Sequence, residues 1–421
     1  MKALIIGSGL LGITSAYSLS RRGWEVTVLD RQDGPGRETS FANGSLLTPS
    51  MPEPWNAPGS WRVLLKSIGR SDSPLKLRLK ALPHLGGWGT GFLRNSSAER
   101  YHRNTVKNLK LALHSIEVLA RLRQDTGIEY DCALRGSLRV IRDAAALERA
   151  LEWAETLRRD GLTYRRLTPR EIVTMEPALA PIAQQLAGGI HYPVDETGNA
   201  YKFCVGLTEH ARRGGVDFRF GTPVTGIEVR QGNVAAVLSG GTRFTADRYI
   251  MAAGSYSPLL LKEIGIKVPI RPAKGYSITF ERPQLDPPFR QPVADDDFHA
   301  VVVPLGNVIR VAGTAEFTGY DLALTEARIR NLVALVNQVL PAGGFDRQQA
   351  KPWCGLRPMS VDGVPIIGPT PIGNLWLNTG HGHLGWTMAA GSGQLLSDLM
   401  TGGSPGVDPE DYALARFNGS A

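Results

Sequence analysis

The sequence predicts an α/β fold with two domains, one built on a parallel sheet and one on a mainly antiparallel sheet. Three observations predict it. An apolar, strand-like run at residues 3–6 leads through a glycine-rich turn into a helical segment. Two later strand-like runs, at residues 247–254 and 374–379, return the chain to the same sheet, and the first of them ends in small residues. Residues 268–316 alternate apolar and polar side chains, which is typical of an antiparallel sheet with one covered face.

The glycine-rich turn at residues 7–12 reads Gly-Ser-Gly-Leu-Leu-Gly. Its first glycine allows a tight turn, its second lets backbone N–H groups approach a pyrophosphate, and its third lets the helix pack against the sheet. A second strand-like run at residues 24–29 ends in Asp30, whose carboxylate can accept both hydroxyls of a ribose. This pattern predicts a Rossmann-type domain that binds an adenine dinucleotide, and it leaves open which one.

The remaining elements follow from composition and periodicity. Residues 31–58 are dense in Gly, Pro, Ser and Asn, which predicts an irregular loop. Apolar side chains recur with a helical period in four segments, and short strand-like runs lie between them. The predicted helices are residues 61–127, 143–159, 200–213 and 325–340, and the short strands include residues 137–141 and several within 216–238.

The predicted elements divide the chain into two domains. At 421 residues and 42% hydrophobic content, the chain is long enough to bury two cores. The parallel strands belong to a discontinuous first domain, to which we assign residues 1–82, 192–267 and 347–421. Residues 83–191 and 268–346 then form the second, α+β domain.

The net charge of +8 is concentrated in one stretch. Residues 61–110 hold eleven Lys or Arg against only Asp72 and Glu99. No recognised nucleic-acid-binding motif accompanies this charge, so we do not expect nucleic acid as a partner. An anionic membrane surface is the partner that the charge favours, and a solvated helix face is the alternative.

Cysteine usage and hydropathy indicate a cytoplasmic protein. Cys132, Cys204 and Cys354 are far apart and lack the spacing of a disulfide framework or a zinc site. No uninterrupted apolar segment reaches the roughly 20 residues that span a bilayer. The apolar N-terminus is explained by the dinucleotide-binding pattern, so we expect it to be retained and not to act as a secretory signal.

Residues 374–400 repeat the order strand, glycine loop, helix. Two helix N-termini from opposite ends of the chain suit a cofactor with two electron-rich ends, a diphosphate and a ring that becomes anionic on reduction. A flavin fits that description, and a helix that starts near Leu384 would stabilise its reduced ring. His381 and His383 have no acidic or thiol companion nearby in the sequence, so we expect no metal there.

The sequence resembles the FAD-dependent D-amino-acid dehydrogenases, within the wider class of D-amino-acid, glycine and sarcosine oxidases, over nearly its whole length. The segments that carry the resemblance are residues 7–12, 38–40 with Asn43, 272–277, 310–316, 353–359 and 380–388. In such enzymes the first domain binds FAD, and a sheet of the second domain covers the substrate over the flavin.

The resemblance implies FAD as the cofactor and a set of residues that bind it. They are Gly7, Ser8, Gly9, Leu10, Leu11, Gly12, Asp30, Arg31, Glu38, Thr39, Ser40, Asn43, Gly44, Val224, Ala253, Gly254, Arg357, Gly380, His381, Gly382, His383, Leu384, Gly385, Trp386 and Thr387. A cysteine near the active site tethers the flavin in related sarcosine oxidases, which makes Cys354 a candidate for such attachment, with a buried thiol as the alternative.

The resemblance also implies the reaction and its residues. A planar guanidinium binds a substrate carboxylate bidentately, and Arg357 is the candidate, with a structural salt bridge as the alternative. Tyr276 and His383 are the other candidate catalytic residues, and Leu46, Tyr276, His299 and His383 join Arg357 around the substrate. The implied reaction is hydride transfer from Cα to flavin N5. The resulting imine hydrolyses to a 2-oxo acid and ammonia, and a quinone-type acceptor takes the electrons.

Two departures from the family leave the substrate open. Phe298 and His299 stand where these dehydrogenases commonly have Tyr and Lys, and residues 43–46 read Asn-Gly-Ser-Leu where Asn-Ala-Gly-Gln is more usual. The lost hydroxyl changes which substrates can be held, and the exchange of an amide for a leucine makes the wall less polar. Both changes count against the usual D-alanine preference and keep a cyclic or secondary amino acid (D-proline, D-hydroxyproline or a sarcosine-like substrate) as an alternative. Two other hypotheses are a flavin-bearing subunit of a hetero-oligomeric amino-acid dehydrogenase and an NAD(P)-dependent oxidoreductase.

The expected location is the cytoplasm, with peripheral contact to the inner face of the cell membrane. The basic, tryptophan-containing stretch at residues 55–88 is the candidate membrane contact. The sequence leaves the oligomeric state open.

Overall fold

A computed structural model of the protein describes residues 1–60, 75–77, 82–298 and 300–417. The α-helices are α1 (Leu10–Ser20), α2 (Leu82–Arg94), α3 (Ala98–Thr126), α4 (Ala144–Arg158), α5 (Pro169–Met175), α6 (Ala200–Arg213), α7 (Ser257–Lys262), α8 (Glu326–Val339) and α9 (Gly385–Thr401). Short 3-10 helices lie at Pro177–Gln185, Gly254–Tyr256, Pro341–Gly343, Pro409–Asp411 and Leu414–Phe417.

The strands complete the secondary structure of the described residues. They are β1 (Lys2–Ile6), β2 (Glu25–Leu29), β3 (Leu46–Leu47), β4 (Leu75–Leu77), β5 (Ser137–Ile141), β6 (Arg165–Leu167), β7 (Gly188–Tyr192), β8 (Glu196–Thr197), β9 (Asp217–Arg219), β10 (Gly226–Arg230), β11 (Asn233–Ser239), β12 (Thr242–Phe244), β13 (Arg248–Met251), β14 (Ile270–Glu281), β15 (Val293–Asp295), β16 (Ala300–Leu305), β17 (Val308–Phe317), β18 (Lys351–Ser360), β19 (Ile366–Pro369) and β20 (Leu375–Thr379). The element order mixes helices and strands throughout.

The first sheet has six strands in the order β19-β20-β13-β1-β2-β9. Every neighbouring pair is parallel except β19 with β20. β1 is apolar and buried from Ala3 to Ile6, as expected of a central parallel strand that is covered on both faces. α1 crosses over between β1 and β2, so the Rossmann-type arrangement predicted from residues 3–30 is confirmed.

α1 and α9 pack against each other on one face of this sheet, and α3 packs against α9. Glycines make the close packing possible. A Cβ on Gly393 would lie 2.7 Å from the backbone carbon of Thr14, and one on Gly391 would lie 2.9 Å from Cα of Ser115. The first and last long helices of the first sheet are thereby held together, and both begin at the carboxyl edge of the sheet.

The second sheet has nine strands, of which eight follow the order β18-β14-β17-β16-β15-β5-β7-β6, while β4 pairs with β17. Its pairs are antiparallel except β15 with β5 and β17 with β4. α8 covers one face, where Ile278, Val302 and Val311 pack against Ile329 and Val336. The predicted mainly antiparallel sheet with one covered face is therefore confirmed, and the opposite face looks toward the first sheet.

Two smaller sheets accompany the large ones. β10, β11 and β12 form an antiparallel meander next to the first sheet, and β3 pairs with β8. No helix in the described part of the chain has both the length and the apolar composition needed to cross a bilayer.

Some predicted elements begin or end at other residues in the structure. The helix predicted at residues 61–127 is seen as α2 and α3, separated at residues 95–97 where the Ser97 side chain caps α3 by accepting from Arg100 N. Residues 61–74 and 78–81, in the basic stretch, lie outside the described residues. β18 lies in the segment assigned to the first domain, yet it pairs with β14 over ten positions of the second sheet. The domain boundaries stay a prediction.

Candidate active site

A cavity of about 1160 Å³ lies between the carboxyl edge of the first sheet and the uncovered face of the second. The β1–α1 turn lines it through Gly7 and Gly9, and the second sheet lines it through Ala312 and Arg357. The cavity therefore collects residues from the whole length of the chain, including segments that lie hundreds of positions apart.

The β1–α1 turn is shaped by Asp30. The two oxygens of this carboxylate accept from Ser8 N at 2.6 Å, from Ser8 Oγ at 2.7 Å and from Gln32 N at 2.8 Å. At the start of α1, Gly9 provides no side-chain cap, and Leu10 N donates to Ser40 Oγ at 3.2 Å. Asp30 lines the cavity, but protein donors already contact both of its oxygens.

The predicted cofactor residues near Asp30 fall into two groups. Ser8 and Gly12 are buried in the turn and do not line the cavity, so the structure gives them a supporting position. The residues that do line it are Gly7, Gly9, Leu10, Leu11, Asp30, Arg31, Glu38, Thr39, Ser40, Asn43, Gly44, Val224, Ala253 and Gly254.

Arg31 and Glu38 form a small polar cluster on the same wall. The Glu38 carboxylate is paired with Arg31 and accepts from Gln32 Nε2 at 2.5 Å. The Arg31 guanidinium lies 3.9 Å above the centre of the Tyr256 ring. Sequence reasoning missed Tyr256, because a tyrosine after a strand is common and carries no site signal.

The N-terminus of α9 is the second uncapped helix end at the cavity. Its N-cap residue, Leu384, makes no side-chain hydrogen bond, and Gly385 and Trp386 line the cavity together with residues 381–383. Gly380, Leu384 and Thr387 do not line it. Thr387 Oγ1 instead accepts from Thr48 N at 2.9 Å. A helix start without a capping group favours an electron-rich partner.

The two histidines of this turn are neutral and differ in exposure. His381 is buried, its Nε2 lies 2.8 Å from Ser392 Oγ, and burial lowers its pKa to about 3. His383 faces the cavity and stacks on Trp55 with ring centres 5.6 Å apart. The surrounding protein and the Arg357 charge lower its pKa to about 4. The described residues hold no cluster of three or more His, Cys, Asp or Glu suited to a metal.

Arg357 presents a charge without a counter-ion. Its Nη1 donates to the carbonyl oxygen of Thr314 at 3.2 Å, and its Cζ lies 5.3 Å from the centre of the Trp55 ring. Among the described residues, no carboxylate lies within 4 Å of it. Burial lowers its pKa to about 10, so it stays cationic at neutral pH. A side chain on Gly275 would overlap the guanidinium, so that glycine provides the space for it.

Tyr276 points its hydroxyl to the other face of the second sheet. The hydroxyl donates to the Glu316 carboxylate at 3.0 Å and is hydrogen-bonded to Thr325 Oγ1 at 3.0 Å. Neighbouring Ser277 instead faces the first domain and donates to Ala42 O at 2.6 Å. Successive strand residues face opposite sides, so the structure does not bring the predicted catalytic hydroxyl into the cavity. Tyr276 does line the cavity, but its hydroxyl is bonded to Glu316 and Thr325.

Cys354 shares the face of Tyr276. Its thiol donates to Leu322 O at 3.1 Å, and burial raises its pKa. It does not line the cavity, so the structure provides no path from its sulfur to a bound ring there.

The remaining predicted substrate residues are Leu46 and His299. Leu46 lies on β3, opposite Thr197, and lines the cavity. His299 lies outside the described residues. Sequence reasoning missed Trp55, which it placed in a membrane-facing stretch, because the surrounding Pro-Glu-Pro-Trp run predicts only a loop.

Comparison with known proteins gives a consistent result. Residues 2–399 match the family described as FAD dependent oxidoreductase. The D-amino acid dehydrogenase of Paramagnetospirillum magneticum is 43% identical over 99% of both chains. That of Xanthobacter autotrophicus is also 43% identical over 99% of both.

Solved structures show the same fold at lower identity. Glycine oxidase from Geobacillus kaustophilus superimposes with a TM-score of 0.76 at 22% identity and covers 98% of each chain. L-proline dehydrogenase from P. horikoshii gives a TM-score of 0.76 at 19% identity over 99% of this chain and 97% of that one. At such identities the likeness shows the fold alone.

Proposed function

The chain belongs to the family of FAD-dependent oxidoreductases, and on that premise we propose that it oxidises a D-amino acid to an imine, which water converts to a 2-oxo acid and ammonia. The chain is an enzyme and its cofactor is FAD. The observation that carries the substrate class is Arg357, a cationic guanidinium on the cavity wall that has no counter-ion in the described part of the chain. The D configuration is supported by full-length relatives that are named D-amino acid dehydrogenase.

The residues present fit FAD at the two uncapped helix N-termini. The start of α1 would hold the diphosphate through the backbone N–H of Gly9, which lines the cavity, whereas the Gly7 N–H already donates to Leu29 O at 2.8 Å. The start of α9, with Gly385 and Trp386, would hold the flavin ring. When bound, FAD supplies the acceptor for the two electrons and the hydrogen that leave the substrate Cα.

Arg357 would bind and orient the substrate through its carboxylate. A charge-assisted hydrogen bond of this kind contributes about 1.5–3 kcal/mol. The Trp55 ring on one side of the guanidinium and Thr314 O on the other restrict how the guanidinium can turn. A fixed carboxylate fixes the direction of the Cα–H bond, which is the requirement for reaction at Cα.

The substrate amine must be neutral before the C=N bond can form. The Arg357 cation and the apolar wall formed by Leu46, Val301 and Ala312 both disfavour the ammonium form, so they lower its pKa. His383 is neutral at physiological pH, and it adds a hydrogen-bonding ring to the wall without adding charge. We assign it to binding the substrate, held in place by its stack on Trp55.

We further infer that a quinone-type acceptor takes the electrons and that the basic stretch contacts an anionic membrane surface. The support is the charge of residues 61–110 in the sequence and, among the described residues, the exposed positions of Arg100, Arg103 and Lys110 on α3. The test compares turnover with a soluble ubiquinone analogue against oxygen, together with sedimentation on anionic and neutral vesicles. Equal turnover with oxygen, or equal binding to neutral vesicles, would contradict this part of the proposal.

The substrate class is tested by anaerobic loss of the flavin absorbance of the purified holoenzyme. The panel contains D- and L-alanine, glycine, sarcosine and D-proline. We expect D-alanine to bleach the flavin and L-alanine to leave it unchanged. Bleaching by L-alanine, or by sarcosine and D-proline without D-alanine, would contradict the proposal.

A further inference from the structure

The cavity continues past Trp55 into a second lobe with its own charges. Its wall is formed by Glu53 from the segment after β3, Tyr101 from α3, Arg139 from β5 and Trp153 from α4, and Asp296 lies beside Arg139. Ala146 and Ala150, on the same helix as Trp153, leave space there because their side chains are small. The lobe is absent from the site predicted on sequence grounds.

The charges of this lobe are paired with one exception. Arg139 donates from Nε to Asp296 at 2.8 Å and lies 2.6 Å from it through Nη2. Asp295 is paired with Arg142. Glu53 accepts from Trp153 Nε1 at 2.6 Å and makes no ion pair among the described residues. Burial raises the pKa of Glu53, and the nearby Arg139 charge opposes that shift.

An aromatic pair lies beside this carboxylate. The rings of Tyr101 and Trp153 are stacked with centres 5.7 Å apart and an angle of 27° between their planes. The bond from Trp153 Nε1 fixes the indole next to Glu53. A carboxylate together with aromatic rings attracts cations, through charge and through the negative potential above each ring.

The competing cations in the lobe are accounted for. Arg139 is neutralised by Asp296, and Arg149 lies at the rim with 69% of its side chain exposed, where solvent screens its charge. Arg139 lies near enough to Glu53 to lower the pKa of that carboxyl group, but one arginine faces the two carboxylates of Glu53 and Asp296, so this cluster keeps a net negative charge. The lobe can take one additional positive charge and cannot take an anion without repelling Glu53.

Glu53 and Arg357 line the same cavity, and Trp55 connects them. Trp55 touches the Arg357 guanidinium, and Glu53 is two residues before Trp55, a step of at most about 7 Å along the chain. The Arg357 guanidinium binds a carboxylate, and the Glu53 carboxylate needs a cation at the end of a chain of a few carbons. Lysine, ornithine and arginine side chains have that form.

We propose that Glu53 determines substrate specificity by accepting the ammonium or guanidinium group of a D-amino acid with a long basic side chain. Basic D-amino acids are then preferred over neutral ones of the same length. The proposal rests on the proposed function, because it takes the substrate carboxylate to lie at Arg357. It names a second contact for the substrate and leaves the reaction at Cα unchanged.

The test compares substrates that differ only in charge. D-Arginine and its neutral isostere D-citrulline are turned over by the holoenzyme of the wild type and of Glu53→Gln, and kcat/KM is measured for each. We expect the wild type to favour D-arginine by about 10-fold or more, and the ratio to approach 1 in Glu53→Gln, mainly through KM. A 10-fold ratio corresponds to about 1.4 kcal/mol of binding.

The control variant is Glu152→Gln, which removes an exposed carboxylate next to Trp153 on α4. It should leave the ratio as in the wild type. A ratio near 1 in the wild type, or an unchanged ratio in Glu53→Gln, would overturn the proposal while D-alanine turnover still supports the proposed function. If no D-amino acid is oxidised, the proposed function and this inference fail together.

Discussion

The two ends of the cavity differ in how far their polar groups are paired. At the β1–α1 end, Asp30 is bonded to Ser8 and Gln32, and Glu38 is paired with Arg31. At the other end, Arg357 and Glu53 have no ion-pair partner among the described residues. A resident cofactor needs a rigid, pre-organised wall, whereas a substrate that comes and goes must supply the missing charges itself. Changes at the first end should therefore affect FAD retention, and changes at the second should affect turnover.

The largest effect is expected from Arg357→Met. Removing the guanidinium takes away the carboxylate contact and the orientation that depends on it, so kcat/KM for a D-amino acid should fall by about 1000-fold. FAD absorbance should be retained, because the β1–α1 end is untouched. Arg330→Met on α8, which removes an exposed arginine, should keep wild-type kinetics. Loss of FAD from the Arg357 variant would contradict the claim that the two ends of the cavity have separate roles.

Gly7→Ala should reduce the retention of FAD, in contrast to Arg357→Met. A Cβ at residue 7 would lie 2.6 Å from Ala252 O, and the φ of +109° disfavours any side chain. We expect loss of FAD and destabilisation by about 2 kcal/mol or more, followed by thermal unfolding and flavin fluorescence. Gly23→Ala is the matched control, since its φ is +78° but nothing lies within 4 Å. Equal damage from both variants would mean that strain alone, and not the close approach to β13, is responsible.

A smaller loss is predicted for Asp30→Asn. The amide nitrogen would face either the Ser8 or the Gln32 donors, so one part of the turn loses its acceptor. FAD affinity should fall about 10-fold, while kcat at saturating FAD stays near the wild-type value. Titration of the apoenzyme with FAD measures this, with Asp33→Asn, at an exposed position, as control. A fall in kcat at saturating FAD would show that Asp30 also serves the substrate end.

The smallest effect is a dependence of stability on pH at His381. Its pKa of about 3 in the folded state is below the ordinary value of 6.5. Between these two pH values the unfolded chain binds a proton at this residue and the folded chain does not. Stability from this residue is complete above pH 6.5 and should fall by about 1.4 kcal/mol at pH 5.5. The melting temperature of His381→Gln should therefore depend less on pH between 7.5 and 5.5. Parallel curves for the two proteins would contradict the prediction.

Local patterns predicted the β1–α1 turn at the first end of the cavity, and the assignment of its residues to FAD stays a prediction. The residue types at 7–12 and at Asp30 have steric and hydrogen-bonding reasons that lie within the first thirty residues, in β1, the turn, α1 and the end of β2. Arg357 followed from a family resemblance and not from such a pattern. Its position opposite Ala273, with the guanidinium over Gly275, depends on the pairing of β14 with β18, which sequence reasoning did not derive.

The second end was predicted less well for two physical reasons. Tyr276 was expected at the substrate, but the pairing of β14 with β17 shifts register between Gly275 and Tyr276, and side-chain direction in a strand depends on single-residue parity. Glu53, Arg139 and Trp153 meet only through tertiary packing of a loop, a strand and a helix. A periodic pattern within one segment does not predict a contact between segments that are distant in the sequence.

The central claim is that Arg357 binds the substrate carboxylate at the cavity wall. Its most direct test is the anaerobic rate of flavin bleaching with D-alanine and with D-alaninamide, which lacks the carboxylate charge, in the wild type and in Arg357→Met. The account predicts that D-alanine is faster by about 100-fold or more in the wild type and that the two substrates become equal in the variant. A preference for D-alanine that survives in the variant would contradict it.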